Sequence, residues 1–148
     1  MEIIIQPDSM TATRLAARII ARELTAKPAS VLGLATGGTM ENLYGELAGM
    51  ALDWSRATTF NLDEYVGLSP DHPQSYRHFM QDKLFRHTNL NPARCHLPNG
   101  LAADVPGECS RYEAGIQAAG GLDLQLLGIG TTGHIGFNEP GSSLASRT

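Results

Sequence analysis

The chain has 148 residues, enough for one domain with a sizeable core and too few to expect two. Hydrophobic residues make up 42% and charged residues 18%, which excludes the disordered and fibrous classes, and a formal net charge of -4 leaves no basic footprint for nucleic acid or an anionic membrane. The longest apolar runs, 31–35 and 124–129, are far below a membrane span, and the N-terminus has no signal-peptide layout, so the expectation is a cytoplasmic enzyme or binding protein.

In chain order, residues 2–5 read as a short strand. From Ser9 the pattern turns helical, with Leu15, Ile19, Ile20 and Leu24 spaced by about three to four, Ser9 or Thr11 as cap, and Pro28 beyond its end. Residues 30–34 suit a buried strand, and 39–50 carry Met40, Leu43, Tyr44 and Leu47 at helical spacing. Residues 57–62 are strand-like, 74–87 helical, and 92–98 mostly irregular. A helix over 106–120 ends at the Gly120-Gly121 pair, and 122–129 is the most apolar strand of the chain. Cys95 and Cys109 have neither metal-like spacing nor a disulfide-dense context and read as free thiols.

Strands alternating with helices predict an α/β fold: an open, mostly parallel, doubly wound sheet with helices on both faces, in a single domain over 1–148. Ligands in such sheets lie beyond the carboxyl ends of the strands. That rule selects three loops: 35–39, 63–73 and 130–148.

The first loop, LATGGT, places Thr36, Gly37, Gly38 and Thr39 where backbone N–H groups and hydroxyls can hold a phosphate; the alternative is a plain glycine turn with Thr36 or Thr39 as helix cap. In the second, adjacent acids Asp63 and Glu64 follow a strand whose alternation turns one of them inward. A carboxylate there can take a proton from a carbon next to a carbonyl, or serve as an ordinary cap, while Asn61, Glu64 and Tyr65 brace the loop. In the third, GIGTTGHIGFNEPGSSLASRT, His134 stands between glycines and Glu139 lies five residues on, close enough to orient the ring. Ser142, Ser143 and Arg147 can hold a phosphate or a sugar hydroxyl, or simply be solvated. His72, His78, His87 and His96 read as structural, and the lack of a second histidine near His134 argues against a metal.

Taken together, LGLATGGT, FNLDEYVGL, SYRHFM and GHIGFNEP resemble the glucosamine-6-phosphate deaminase (isomerase) family, over about residues 2–148. The sister 6-phosphogluconolactonases share the glycine-threonine loop but continue the histidine loop differently. The resemblance implies a Rossmann-like fold and conversion of glucosamine 6-phosphate and water into fructose 6-phosphate and ammonia, with no metal or organic cofactor. It implies that Asp63 moves the proton between C2 and C1, that His134, held by Glu139, opens the sugar ring, and that Gly37, Gly38 and Thr39 cradle the phosphate. Thr36, Gly136, Phe137, Asn138, Ser142 and Ser143 complete the implied substrate contacts.

Two departures qualify the resemblance. The family carries an acid two places before the histidine, where this chain has Thr132; three readings stay open, namely a deaminase, an isomerase for galactosamine 6-phosphate, and a weak or silent sugar-phosphate-binding domain, with a lactonase behind them. The family is also longer, so the expectation is an N-terminal piece of a longer protein, its sheet incomplete on the C-terminal side and covered by homo-oligomerisation.

Overall fold

In the computed structural model, which describes residues 2–143, helices and strands alternate as α1 (Ser9–Ala26), β1 (Val31–Leu34), α2 (Gly38–Ala48), β2 (Thr58–Asn61), α3 (Tyr76–Lys83), β3 (Cys95–His96), α4 (Val105–Ala118) and β4 (Leu124–Gln125). The four strands form one parallel sheet in the order β3-β2-β1-β4. The chain therefore moves outward from β1 in one direction through β2 and β3, then returns across the sheet to β4. That reversal puts the switch point, where parallel α/β sheets bind ligands, between β1 and β4.

Strand alternation divides the core. Leu32 and Leu34 face a cluster built from Ala17, Ile20 and Leu24 of α1, Met40, Leu43, Tyr44 and Leu47 of α2, and Met80 of α3. Val31 and Phe60 face the other way and pack on Tyr112 of α4. Helices thus cover both faces, as the doubly wound pattern predicts. Ties across the elements fix the frame: the Tyr112 hydroxyl donates to the Asn61 carbonyl at 2.8 Å, and Asp123 accepts from the Val31 amide at 2.8 Å and pairs with Lys27 at 2.6 Å.

The structure departs from the sequence expectations in several places. Residues 2–5 are not a strand: they have no ladder partner among the described residues, and Ile3 and Ile5 are exposed. An extended run becomes a strand only when a neighbour takes its hydrogen bonds. The expected strand 122–129 pairs only at Leu124–Gln125, with the Leu126 amide adding a bond to the Gly33 carbonyl; β1 ends at Leu34, and 127–129 have no ladder partner among the described residues. Conversely, the segment expected to be irregular holds the edge strand β3. Asp8, not Ser9 or Thr11, caps α1, accepting from the Thr11 amide at 2.7 Å. Helix α3 stops at Lys83, where Leu84 leaves helical dihedrals and turns with Phe85 into the core. Arg147, at the end of the third loop, lies outside the described residues.

Candidate active site

All three loops reach one cleft of about 780 Å³ over the carboxyl ends of the strands. The first loop contributes Thr36, Gly37, Gly38 and Thr39, the second Asp63 and Tyr65, and the third His134, Gly136, Phe137 and Glu139. Asn138, Ser142 and Ser143 do not line it. The Asn138 side chain donates to the Ile135 carbonyl at 3.3 Å, and both serines are on the surface.

Ala35 leaves β1 with its carbonyl taking the hydroxyl of buried Tyr44, and the chain turns at Gly37, the N-cap of α2. No side chain caps that helix, neither Thr36 nor Thr39. The first-turn amides of an α-helix have no partner within the helix, and the helix dipole adds positive potential, so the turn suits an anion such as phosphate.

The two adjacent acids have separate uses. Glu64 turns back onto α3: its Oε1 accepts from the Tyr65 and Tyr76 amides at 2.8 and 2.9 Å, and its Oε2 from the Arg77 amide at 2.9 Å. Asp63 points into the cleft instead. Burial, with a smaller contribution from the neighbouring Glu64 charge, pushes its carboxyl up to about 6. Such a carboxylate is a stronger base than an exposed aspartate and is still ionised near neutral pH.

The histidine loop is built on glycines for two physical reasons. A side chain at Gly130 would run into the imidazole of His134, so only a bare backbone lets the ring lie there. Gly136 has φ +60° and its α-carbon faces Asp63, so that a β-carbon would stand 3.6 Å from Oδ2; the turn brings the third loop against the second. Within the loop, Nδ1 of His134 lies 3.4 Å from Glu139 Oε1, and the Thr132 hydroxyl lies 3.2 Å from the same nitrogen while donating to Glu139 Oε2 at 3.0 Å. Thr132, which cannot carry charge itself, therefore touches both members of the pair.

Sequence reasoning missed part of the wall. Ser9, Ala12, Thr13 and Ala16 line the cleft from α1; their helical spacing and small size were a legible signal that another segment approaches closely. Tyr65, Tyr76 and Phe137 form an aromatic cluster, with ring centroids 4.9 to 5.8 Å apart, that ties the second loop, α3 and the third loop together. Burial above all pushes the Tyr76 phenol upward. Three of the other four histidines have structural contacts: His96 stacks on Phe60 at 4.5 Å, His72 accepts from the Gln74 amide at 3.1 Å, and His87 lies 3.0 Å from the Asp82 carbonyl. Among the described residues no three His, Cys, Asp or Glu side chains gather as a metal site, and no helix is long and apolar enough to cross a membrane. Cys95 is a buried free thiol, and Cys109 is free as well.

A parallel α/β sheet with an aspartate and a histidine in one cleft at its switch point, beside a helix N-terminus suited to an anion, defines a Rossmann-like α/β protein. Residues 8–141 match the family described as glucosamine-6-phosphate isomerases/6-phosphogluconolactonase, and the chain belongs to that family. It is 57% identical to a glucosamine-6-phosphate deaminase of Arthrobacter sp. (strain FB24), over 100% of this chain and 58% of that protein. A glucosamine-6-phosphate deaminase of Thermoanaerobacter sp. (strain X514) is 49% identical over 100% of this chain and 60% of its own length. The solved structure of a monomeric glucosamine-6-phosphate deaminase superposes with a TM-score of 0.96 at 47% identity, covering 99% of this chain and 63% of that one. A 6-phosphogluconolactonase from Thermotoga maritima gives 0.76 at 22% identity, over 91% of this chain and 62% of that one, a likeness of fold alone. The chain thus spans about three-fifths of the length of these relatives.

Proposed function

We propose that this chain carries the acid–base half of an amino-sugar phosphate isomerase/deaminase site, turning glucosamine 6-phosphate and water into fructose 6-phosphate and ammonia. The observation that carries the reading is the convergence of Asp63, His134 and the α2 N-terminus in one cleft. The amides at Gly37, Gly38 and Thr39 hold the phosphate and so set the sugar's orientation. His134, backed by Glu139, takes the proton of the anomeric hydroxyl and returns it to the ring oxygen as the C1–O5 bond breaks. The Asp63 carboxylate removes the C2 proton and delivers it to C1 while one proton of the C2 ammonium passes to the C1 oxygen, leaving an imine at C2 and a hydroxyl at C1. Water adds to that carbon, ammonia leaves, and the ketone remains.

Thr36 and Gly136 complete the substrate wall, and Phe137 with Tyr65 and Tyr76 gives it an apolar side. The setting is amino-sugar catabolism in the cytoplasm. The exposed apolar residues Ile3, Ile5, Leu127 and Ile129 support a homo-oligomer, in contrast to the relative described as monomeric.

The test is ammonia release from glucosamine 6-phosphate by the purified chain, with intact mass recorded on the same sample. Ammonia and fructose 6-phosphate in equal amounts support the reading. Binding of the sugar phosphate with no turnover would mean a sugar-phosphate-binding domain instead, and turnover of a lactone alone would mean a lactonase.

A further inference from the structure

A hydroxyl has one proton to donate, and a carboxylate can only accept. The 3.0 Å bond from Thr132 Oγ1 to Glu139 Oε2 therefore commits the hydroxyl proton to Glu139. What Oγ1 can still offer His134 Nδ1, 3.2 Å away, is a lone pair, and a hydrogen bond there requires the proton to sit on the nitrogen. The other acceptor near that nitrogen, Glu139 Oε1 at 3.4 Å, makes the same demand. A neutral imidazole carries a single N–H.

We infer that Thr132 is a positioning residue: its hydroxyl, spent on Glu139, holds His134 as the Nδ1–H tautomer and leaves Nε2 as the proton acceptor. The inference rests on the proposed function only for its consequence, since the relay described above needs a free Nε2 lone pair. It also accounts for an uncharged residue at this place. Glu139 supplies the charge that an imidazolium would need, and Thr132 connects that charge to the ring by a bond shorter than the direct 3.4 Å contact. Gly130 takes part by leaving room for the ring in this orientation.

The test uses the whole chain with nitrogen-15-labelled histidine, the His134 signals being identified by their loss in His134→Gln. Spectra are recorded at about pH 8.5, well above the ordinary histidine range. The expected result is a protonated Nδ1 and an unprotonated Nε2 in the wild type. Thr132→Val keeps the shape and deletes both bonds; it should shift the ring toward the Nε2–H form and lower kcat on the order of tenfold, within the general acid–base contribution of about 10²–10⁴, while KM changes less than about twofold. Thr132→Ser should restore both. A wild-type ring protonated on Nε2, an unchanged tautomer in Thr132→Val, or a serine variant that restores nothing would each overturn the inference. Absence of ammonia release by the wild type would instead overturn the proposed function, and the spectra would still decide the role of Thr132.

Discussion

Asp63 and Glu64 share a peptide bond and little else. Glu64 has three backbone amides to satisfy, whereas Asp63 meets desolvation with no compensating donor among the described residues, and its carboxyl rises to about 6. The rise has a consequence for stability. A carboxyl raised from 3.8 to about 6 on folding favours the folded state below pH 3.8, and that advantage is lost as pH climbs through about 6. Asp63→Asn should therefore match the wild type in thermal stability at about pH 3.5 and exceed it at pH 7. Discounted for partial exposure, the gain is about 1 kcal/mol, a Tm rise of roughly 3 °C in calorimetry. The same variant should lose C2 proton exchange with solvent by about 10²-fold or more while still binding the sugar phosphate. In the wild type, exchange should fall as pH drops below about 6, because the base is then protonated.

At the level of elements, the site depends on how the loops are tied. Helix α3 begins under two acceptors at once: Ser75 takes the His78 amide at 3.0 Å, and Glu64 takes the Tyr76 and Arg77 amides. Glu64→Ala should cost about 1–2 kcal/mol, the range for loss of a helix cap, seen as a Tm lower by roughly 3–6 °C. Gly130→Ala is the sharper probe of the histidine loop. The new methyl would occupy the place of the imidazole, so ammonia release should fall on the order of 10²-fold while circular dichroism stays unchanged. Phe137, packed on Tyr65 and Tyr76, anchors the same loop; Phe137→Ala should speed amide exchange over residues 134–139 without altering exchange in α1.

For the whole molecule, the ordering β3-β2-β1-β4 leaves two-residue strands at both edges of the sheet, and Leu127 and Ile129 follow β4 with 47% and 77% of their surface exposed. Apolar groups beside a short edge favour association with another copy. Light scattering after size exclusion should give a mass above that of the monomer, and Ile129→Lys should lower it. A monomeric mass at micromolar concentration would remove homo-oligomerisation from the proposed function.

What the sequence by itself determined was local and periodic. The spacing of Met40, Leu43, Tyr44 and Leu47 marked α2, a short buried apolar run marked β1, a strand-like run marked β2, and glycine-rich strand ends marked where the candidate site would lie, because hydrophobic pattern and backbone freedom are written residue by residue. The grouping of Thr36–Thr39, Asp63, His134 and Glu139 was legible because parallel α/β sheets put every strand's carboxyl end on one edge. Tertiary structure alone decided the rest. Residues 2–5 and 127–129 have strand composition but no neighbour to pair with among the described residues, while Cys95–His96, with little composition to recommend it, pairs because β2 lies beside it. Which of two adjacent acids enters the cleft depends on where α3 begins. Whether a threonine can serve beside a histidine depends on a glutamate that folds back to within 3.0 Å of its hydroxyl, a distance no spacing in the chain encodes.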